Sequence, residues 1–522
     1  MKYILFILIN IYYVFDLLFY LTMLQQNSYN DKCKYFNFLI SNIKSNITFY
    51  FLKILFPISL LLFNELNPIL YIYFYVILFI LIYSSILNYK NYNKKLPLCF
   101  TKRLIRIFSL DVLFYILIGF FSYKLSLLKF ISYMLLYTSQ NHLILILIIF
   151  ILKPVELIIF NKYKKKALDR LNKMNGIKVI GITGSFGKTS TKMILNDILS
   201  VKYKGFCSPK SFNTPNGILK SINEEKTIFN DYFICEMGAR KEGEIKYLCN
   251  LVKPKYGIIT SIGACHLETF KTIENILKTK FELADFLPSD GILILNKDDE
   301  YIKKYKVSSK AKIYYISLNE KADAYAKNIK ITAEGTSFDL YIKGEKINVK
   351  TSLLGQKNIY NILSSSLMAY LLGLSLKEIK KGISNIKPIS HRLEIKKVNN
   401  LTIIDDSYNS NPIGAKNALE VLSLMEGEKI IITPGMVEMG KEENNLNYNF
   451  GKDMANICDK FYLIGKKRSN PIVKGILETN KNADIKVFNK FDDAYNDVIK
   501  GVKRKNVTLL IENDLPDLYL EK

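Results

Sequence analysis

The ten residues Gly181-Ile182-Thr183-Gly184-Ser185-Phe186-Gly187-Lys188-Thr189-Ser190 constrain this chain more than any other stretch. They follow the apolar run Lys178-Val179-Ile180 and lead into a helical pattern that ends near Leu199. The spacing predicts a strand, a glycine-bearing turn and a helix start. Backbone N–H groups in such a turn cradle phosphates, and a helix N-terminus favours negative charge. Gly184, Gly187 and Ser190 then belong to a nucleotide-binding loop. Lys188 is placed to reach terminal phosphates, and Thr189 to hold magnesium. The bland alternative is a plain turn with a chance Gly-Lys-Thr. The ordered run of strand, turn, Lys and Thr weighs against it.

About 160 residues of apolar character precede this loop. Five runs, near 3–23, 48–65, 69–88, 107–123 and 142–160, approach the ~20 residues that a membrane span requires. The 126–141 stretch reads as an interfacial helix or part of the fifth run, so four or six spans stay open. The first run contains Asn10 and Asp16 and lacks a small-residue cleavage site, which favours a retained helix over a signal peptide. Lysine and arginine crowd the loops 24–47 and 89–106 and the segment Lys162 to Lys166. The positive-inside rule then puts the N-terminus outside and residues 161–522 in the cytoplasm of a multi-pass cell-membrane protein. Asp16, Asp111 and Glu156 are polar residues inside these runs. All three are candidates for function; snorkelling to the interface is the alternative for Asp16 and Glu156 and the favoured reading for Glu156, while Asp111 is evenly balanced.

The formal charge of +26 is spread along the whole length, and no aromatic-basic RNA-binding motif accompanies it. The expectation is a basic surface near anionic lipid and no nucleic-acid partner. Seven scattered cysteines, with no C-x-x-C spacing, exclude a zinc cluster and a disulfide framework.

From about 161 the pattern alternates between strands and helices. Strand-like runs fall at 178–182, 231–236, 256–261, 291–296 and 312–317, with helices between them. This is α/β with a mostly parallel sheet. Residues 322–353 read as a small antiparallel extension and 356–373 as a helix with a small-residue face. A second α/β unit begins near 389, with strands at 401–405, 429–433, 460–464, 485–488 and 507–511. The expected domains are a transmembrane region (1–160), an ATP-binding central domain (161–388) and a smaller Rossmann-like domain (389–522).

Further segments carry chemistry beside the phosphate loop. Glu236, in Glu236-Met237-Gly238-Ala239, ends an apolar strand and can complete a magnesium site opposite Thr189. His266, in Ile262-Gly263-Ala264-Cys265-His266-Leu267-Glu268, lies at another strand end, where a metal or phosphate contact is suited. Lys280 sits on the following helix, and Asp405-Asp406-Ser407-Tyr408-Asn409-Ser410-Asn411-Pro412 follows a strand of the second unit. With Gly355-Gln356-Lys357-Asn358-Ile359-Tyr360-Asn361 and His391-Arg392-Leu393-Glu394, these motifs run in the order seen in the Mur ligase family, which the chain resembles from about 175 to 440.

The resemblance implies a P-loop central domain and a Rossmann-like C-terminal domain using ATP and magnesium. It implies that Lys188 neutralises the phosphates, that Thr189 and Glu236 hold one metal, and that His266 helps hold a second. Lys280 matches a lysine that is carbamylated in several members. Asn361 matches a base or ribose contact, Arg392 a phosphate contact, Asp406 a nucleotide contact and Asn213 a further active-site position. Asn358 is expected to act as a cap, His391 to orient the linker, and Asp405 to be structural. The implied reaction joins a carboxylate to an amino acid or dipeptide through an acyl-phosphate, with D-alanyl-D-alanine addition to a cell-wall precursor foremost.

The chain departs from the family pattern in three places. The apolar region stands where members carry a soluble UDP-binding domain, Lys357 stands where a histidine is common, and the 433–440 and 512–517 segments differ. The expected partners are therefore an amine, a carboxylate-bearing intermediate that can be lipid-linked, and membrane lipid. An ATP-binding transporter or sensor subunit is the alternative from another class.

Overall fold

The computed structural model describes residues 2–26, 32–63, 68–92, 97–209, 211–398, 400–408, 411–437, 439–501 and 506–513. Asn409, Ser410, Glu438 and the 514–517 part of the C-terminal motif lie outside the described residues, as do Lys94 and Lys95. The chain divides into a compact unit of residues 1–162 and a second that starts at Tyr163.

The first unit is helical. Among the described residues, four helices, Tyr3–Gln26, Ile69–Lys90, Lys102–Ser122 and Asn141–Asn172, are long and apolar enough to cross a membrane. They leave large apolar side chains such as Phe79, Phe120, Phe121 and Phe150 exposed. The expected second run falls instead on helix Ile47–Leu61, only 15 residues long. At 1.5 Å per residue it reaches about 22 Å, short of the ~30 Å hydrocarbon layer. Five full-length runs thus become four, with shorter apolar helices at Ile47–Leu61 and Leu127–Ser139. The segment expected as a charged loop after the first run contains helix Lys32–Ser45.

Buried charge orders the interior of this unit. The Lys53 ammonium lies 2.6 Å from the Asp16 carboxylate, with both side chains at most 4% exposed. Asn141 Nδ2 and Ser85 Oγ also donate to Asp16, at 3.3 and 3.4 Å. The rings of Tyr12, Tyr20, Phe49 and Tyr50 surround the ammonium at 5.3 to 5.9 Å. Asp16 therefore does not snorkel: a partner brought from 37 residues away satisfies its charge inside the bundle. Asp111 is likewise buried and accepts from Tyr13 (2.7 Å) and Tyr137 (3.1 Å). Glu156, partly exposed, pairs with Arg106 at 2.6 Å.

The second unit holds two sheets. In the first, β1 (Lys178–Thr183), β2 (Gly205–Cys207), β3 (Tyr232–Glu236), β4 (Tyr256–Ile259), β5 (Ile292–Asn296) and β6 (Lys312–Ser317) run parallel. β7 (Ala324–Thr332), β8 (Gly335–Ile342) and β9 (Glu345–Thr351) continue it in the order β2-β3-β1-β4-β5-β6-β7-β8-β9. The antiparallel extension is thus not a separate layer: β7 pairs in parallel with β6 through Ile316 and Ala324. β1, β3, β4 and β5 are almost wholly buried apolar runs, as parallel strands with both faces covered are. Ile180, Ile182, Ile258 and Ile294 belong to the same core as Ile359, Leu363 and Leu367 of helix Gln356–Leu371.

In the second sheet, β10 (Glu394–Val398) pairs antiparallel with β11 (Leu401–Asp406). The rest, β12 (Glu428–Thr433), β13 (Lys460–Ile464), β14 (Asp484–Phe488) and β15 (Val507–Glu512), are parallel, in the order β10-β11-β15-β12-β13-β14. β2 and β10 escaped the sequence reading, since β2 has three residues and β10 is a largely exposed edge with no alternation.

The caged pair in the helical unit generates a test. Removing one member of a buried ion pair leaves an uncompensated charge, at a cost of about 3–5 kcal/mol. Asp16→Ala or Lys53→Met is expected to lower the unfolding temperature of detergent-purified protein sharply. The double variant Asp16→Leu/Lys53→Met should recover most of the loss. Equal loss in the double and single variants would show that shape, rather than charge pairing, holds the helices there.

Candidate active site

The phosphate loop lies between β1 and helix Lys188–Leu199, at the point where the sheet order reverses beside β4. Crevices at such switch points, beyond the carboxyl ends of parallel strands, are where open α/β sheets bind ligands. β4 is pulled close to the loop: Ser185 N donates to Ser261 O (2.7 Å), and Thr260 N to Thr183 O (3.0 Å). The Thr260 hydroxyl donates to Phe186 O, and Ser185 Oγ to Gly263 O (3.0 Å).

Two glycines are required by this crowding. Gly184 has φ +143°, and a Cβ there would lie 2.1 Å from Thr260 Oγ1. Gly187 caps the helix at φ +80°, and its Cβ would lie 2.7 Å from Asn361 Oδ1. A side chain at either position would collide with these neighbours and force the loop away from them. Asn361 arrives because helix Gln356–Leu371 packs on the loop's own helix. Thr191 Oγ1 donates to Asn361 Oδ1 (3.1 Å), and Ser365 Oγ to Thr191 O (3.2 Å).

Lys188 folds back over the loop and donates to the carbonyls of Gly184 (2.7 Å) and Ser185 (2.9 Å). Burial, partly offset by the thiol of Cys265 and by Glu236, depresses its pKa. Thr189 Oγ1 accepts from Arg392 Nη2 at 3.2 Å, which ties the C-terminal sheet to the loop. Arg392 also lies 4.4 Å from the ring of Tyr408, and Tyr408 donates to Ser211.

Glu236 ends β3 and is 1% exposed. Its Oε2 lies 3.0 Å from Lys192 Nζ, and its Oε1 accepts from Asn213 Nδ2 at 3.2 Å. Burial alone would raise its pKa, but the charges of Lys192 and Lys188 and these hydrogen bonds hold it below the usual carboxylate range. Lys280, on helix Ile273–Phe286, is 2% exposed and sits 5.7 Å from the Phe270 ring. Burial and then the Lys188 charge bring its ammonium down to about 7. His266 takes the left-handed φ of 49° at the start of helix Leu267–Phe270. Among the described residues no three His, Cys, Asp or Glu side chains gather round one point. The hard oxygen donors beside the loop are the Thr189 hydroxyl and the Glu236 carboxylate, a set that suits magnesium.

A cavity of about 320 Å³ opens next to the loop. Gly187, Ser190, Asn361, Arg392 and Asp406 line it, so five of the sequence-predicted residues share one hollow. Burial, countered by the Arg392 charge, raises the pKa of Asp406 to about 6. The cavity walls also include Asp298, Asp299, Lys357 and Tyr360, and Tyr360 donates to Asp298 at 2.9 Å. The sequence reading did not single out Lys192, Asp298 or Asp299. Acidic residues just past a strand were the available signal for the last two, whereas nothing local marks Lys192. Asn358 lies within helix Gln356–Leu371, whose N-cap is Gly355, and its Nδ2 donates to Leu354 O (2.8 Å), so it does not fill the capping position expected of it. Asp405 is held by His391 (3.0 Å), Lys396 (2.9 Å) and Ser407 (2.6 Å).

Comparison with known proteins agrees with this geometry. Residues 182–369 match the Mur ligase middle domain, and residues 391–511 match the Mur ligase, glutamate ligase domain. A UDP-N-acetylmuramoyl-tripeptide–D-alanyl-D-alanine ligase of Buchnera aphidicola from Acyrthosiphon pisum is 31% identical over 364 residues, 64% of this chain and 79% of that protein. The Escherichia coli K12 ligase of the same name is 31% identical over 294 residues, 56% of this chain. There the match spans 65% of the relative, just under two thirds of its length. Among solved structures, MurF from Acinetobacter baumannii superposes with a TM-score of 0.62 at 24% identity, over 68% of this chain and 77% of that one. MurF from Thermotoga maritima in complex with ADP gives 0.61 at 24% identity, over 68% and 80%. At those identities the structural likeness speaks for the fold alone. With both domain models matched in order and the Buchnera relative covered over 79% of its length, the chain belongs to the Mur ligase family, the ATP-dependent ligases that join an acid to an amino acid or peptide.

Proposed function

We propose that this protein is a membrane-anchored ligase of cell-wall precursor synthesis, adding D-alanyl-D-alanine to a muramoyl-tripeptide acceptor. The observation that carries the reading is the convergence of the phosphate-loop residues Gly187 and Ser190 with Asn361, Arg392 and Asp406 on one cavity. The relatives named for that reaction support the choice of amine and acceptor. The four long apolar helices support the anchor.

In this reading the acceptor carboxylate attacks the γ-phosphorus of ATP, giving an acyl-phosphate and ADP. The amine of the dipeptide then attacks the acyl carbon, loses a proton, and phosphate leaves. Both steps gather negative charge, so the site's contribution is positioned cations and N–H donors. Lys188 exchanges the Gly184 and Ser185 carbonyls for phosphate oxygens. Arg392, one hydrogen bond from Thr189, reaches the same phosphates from the C-terminal domain. Asn361 and Asp406 contact the nucleoside, and Asn213 steadies Glu236. Thr189 and Glu236 are the residues that would hold magnesium, and His266 would help hold a second ion. When bound, the metal neutralises charge on the transferring phosphoryl group. Lys280, whose pKa is brought down to about 7, has a neutral amine fraction near pH 7 that could add carbon dioxide and lose a proton, and the carbamate would offer a further anionic oxygen ligand.

Phosphate release by detergent-purified protein tests the reading. The expected result is turnover that needs ATP, magnesium, D-alanyl-D-alanine and a UDP-linked muramoyl-tripeptide. Lys188→Ala should lower kcat/KM by at least about 100-fold, the scale of losing one preorganised transition-state contact. Turnover only with a lipid-linked acceptor would make the helical unit part of the substrate site. ATP hydrolysis indifferent to every acceptor would overturn the ligase assignment.

Lys280 gives a pH signature. Its amine is protonated below about 7 and neutral above, so carbamylation and activity should rise with pH through that value. Added bicarbonate should raise activity at the acidic end, and Lys280→Ala should abolish both responses. A pH profile unchanged in Lys280→Ala would remove the carbamate from the account.

The anchor is tested by localisation. The protein should stay with membranes through an alkaline carbonate wash, and sites beyond residue 172 should be open to protease only from the cytoplasmic side. Release by the wash would refute the spans.

A further inference from the structure

The Lys192–Glu236 pair is not explained by stability. Lys192 is wholly buried and lies one helical turn beyond Lys188, with its ammonium 3.0 Å from Glu236 Oε2. A buried ion pair seldom stabilises a fold more than apolar residues of the same volume would. Between helix Lys188–Leu199 and β3, aliphatic side chains such as Ile194 and Leu195 already fill the interface. The carboxylate is also gripped from the other side, where Asn213 Nδ2 donates to Oε1 at 3.2 Å. Gly238 makes room for that grip, since a Cβ there would sit 2.7 Å from Asn213 Cγ. Two elements from different parts of the chain thus fix one carboxylate in one orientation.

A bare carboxylate here would do two unhelpful things. It would repel a polyphosphate placed on the Gly184–Gly187 loop, and it would collect divalent cations before nucleotide arrived. An ammonium at 3.0 Å makes the pair neutral overall while leaving lone pairs on both oxygens. We infer that Lys192 is a positioning and charge-balancing residue that makes the Glu236 metal site dependent on nucleotide: the ion binds well only when phosphate oxygens complete its shell. This rests on the reading of Glu236 as a magnesium ligand.

The test uses manganese as the probe and follows free Mn2+ by electron paramagnetic resonance, with full-length protein in detergent. Wild type should bind Mn2+ at least about 10-fold more tightly with a non-hydrolysable ATP analogue than without, one order of magnitude corresponding to about 1.4 kcal/mol. Lys192→Met should tighten nucleotide-free Mn2+ binding by about 10-fold and shrink the gain from nucleotide, while kcat falls more than the KM for ATP rises. Lys192→Gln, a smaller change in polarity, should shift binding the same way if the methionine variant does not fold. A merely structural lysine would leave Mn2+ affinity where it was. Wild type binding Mn2+ equally with and without nucleotide overturns the inference, as does wild-type Mn2+ behaviour in a folded Lys192 variant. Glu236→Gln separates the two levels. If it leaves nucleotide-dependent Mn2+ binding intact, the metal-ligand reading itself is wrong. If it abolishes that binding while the Lys192 variants match wild type, only the role of Lys192 is wrong.

Discussion

The catalytic half of this protein depends on how closely three backbones approach at the end of β1. The loop after β1 presses against the end of β4 on one side and helix Gln356–Leu371 on the other. At Gly184 the remaining gap would leave a Cβ only 2.1 Å from Thr260 Oγ1, and at Gly187 only 2.7 Å from Asn361 Oδ1. Such packing holds the loop's N–H groups in place before any phosphate arrives, so binding need not order them. It also brings Asn361 from 170 residues downstream to the first turn of the loop's helix.

Charge is organised around that fixed loop. Lys188 is satisfied by two loop carbonyls, Arg392 by the Thr189 hydroxyl, and Lys192 by Glu236. Each cation is thus held by a partner that phosphate or metal chemistry can replace or complete. Burial acts on the ionisable groups in the same neighbourhood, taking Lys280 down to about 7 and Asp406 up to about 6. Both groups flank the loop: Lys280 is buried and feels the Lys188 charge, and Asp406 lines the cavity beside Gly187, the kind of perturbed group that candidate functional sites carry.

The helical unit follows the same rule in an apolar setting. Its outward faces carry phenylalanine and isoleucine, while Asp16, Lys53 and Asp111 are buried and paired inside. In such surroundings an unpaired charge is far costlier than a paired one, so partners are recruited from separate helices. The aromatic rings around Lys53 add favourable quadrupole contacts to the ion pair.

Much of this was legible before any coordinates. The strand-turn-helix at 178–199 and the alternation of strands and helices are short-range patterns that sterics and hydrogen bonding over a few residues dictate. The ordered motifs from Glu236 to Asp406 were legible through their resemblance to the Mur ligase family. Gly184 and Gly187 could be picked out because a phosphate loop needs glycine locally. Lys192 could not, because its partner lies 44 residues away on another strand, and a lysine on a helix reads as solvated until something covers it. The same holds for Asp16, read as functional or snorkelling and found paired with Lys53, and for 48–65, whose apolar run outlasts its helix. The joining of β7 to β6 was equally hidden, since one sheet or two depends on an edge pairing that no local pattern encodes. By itself the sequence determined which segments become strands, helices and phosphate-binding turn, because those follow from local backbone and periodicity. Only the tertiary structure decided which charges face each other and which backbones touch, because those energies arise from burial and from contacts between residues far apart in the chain.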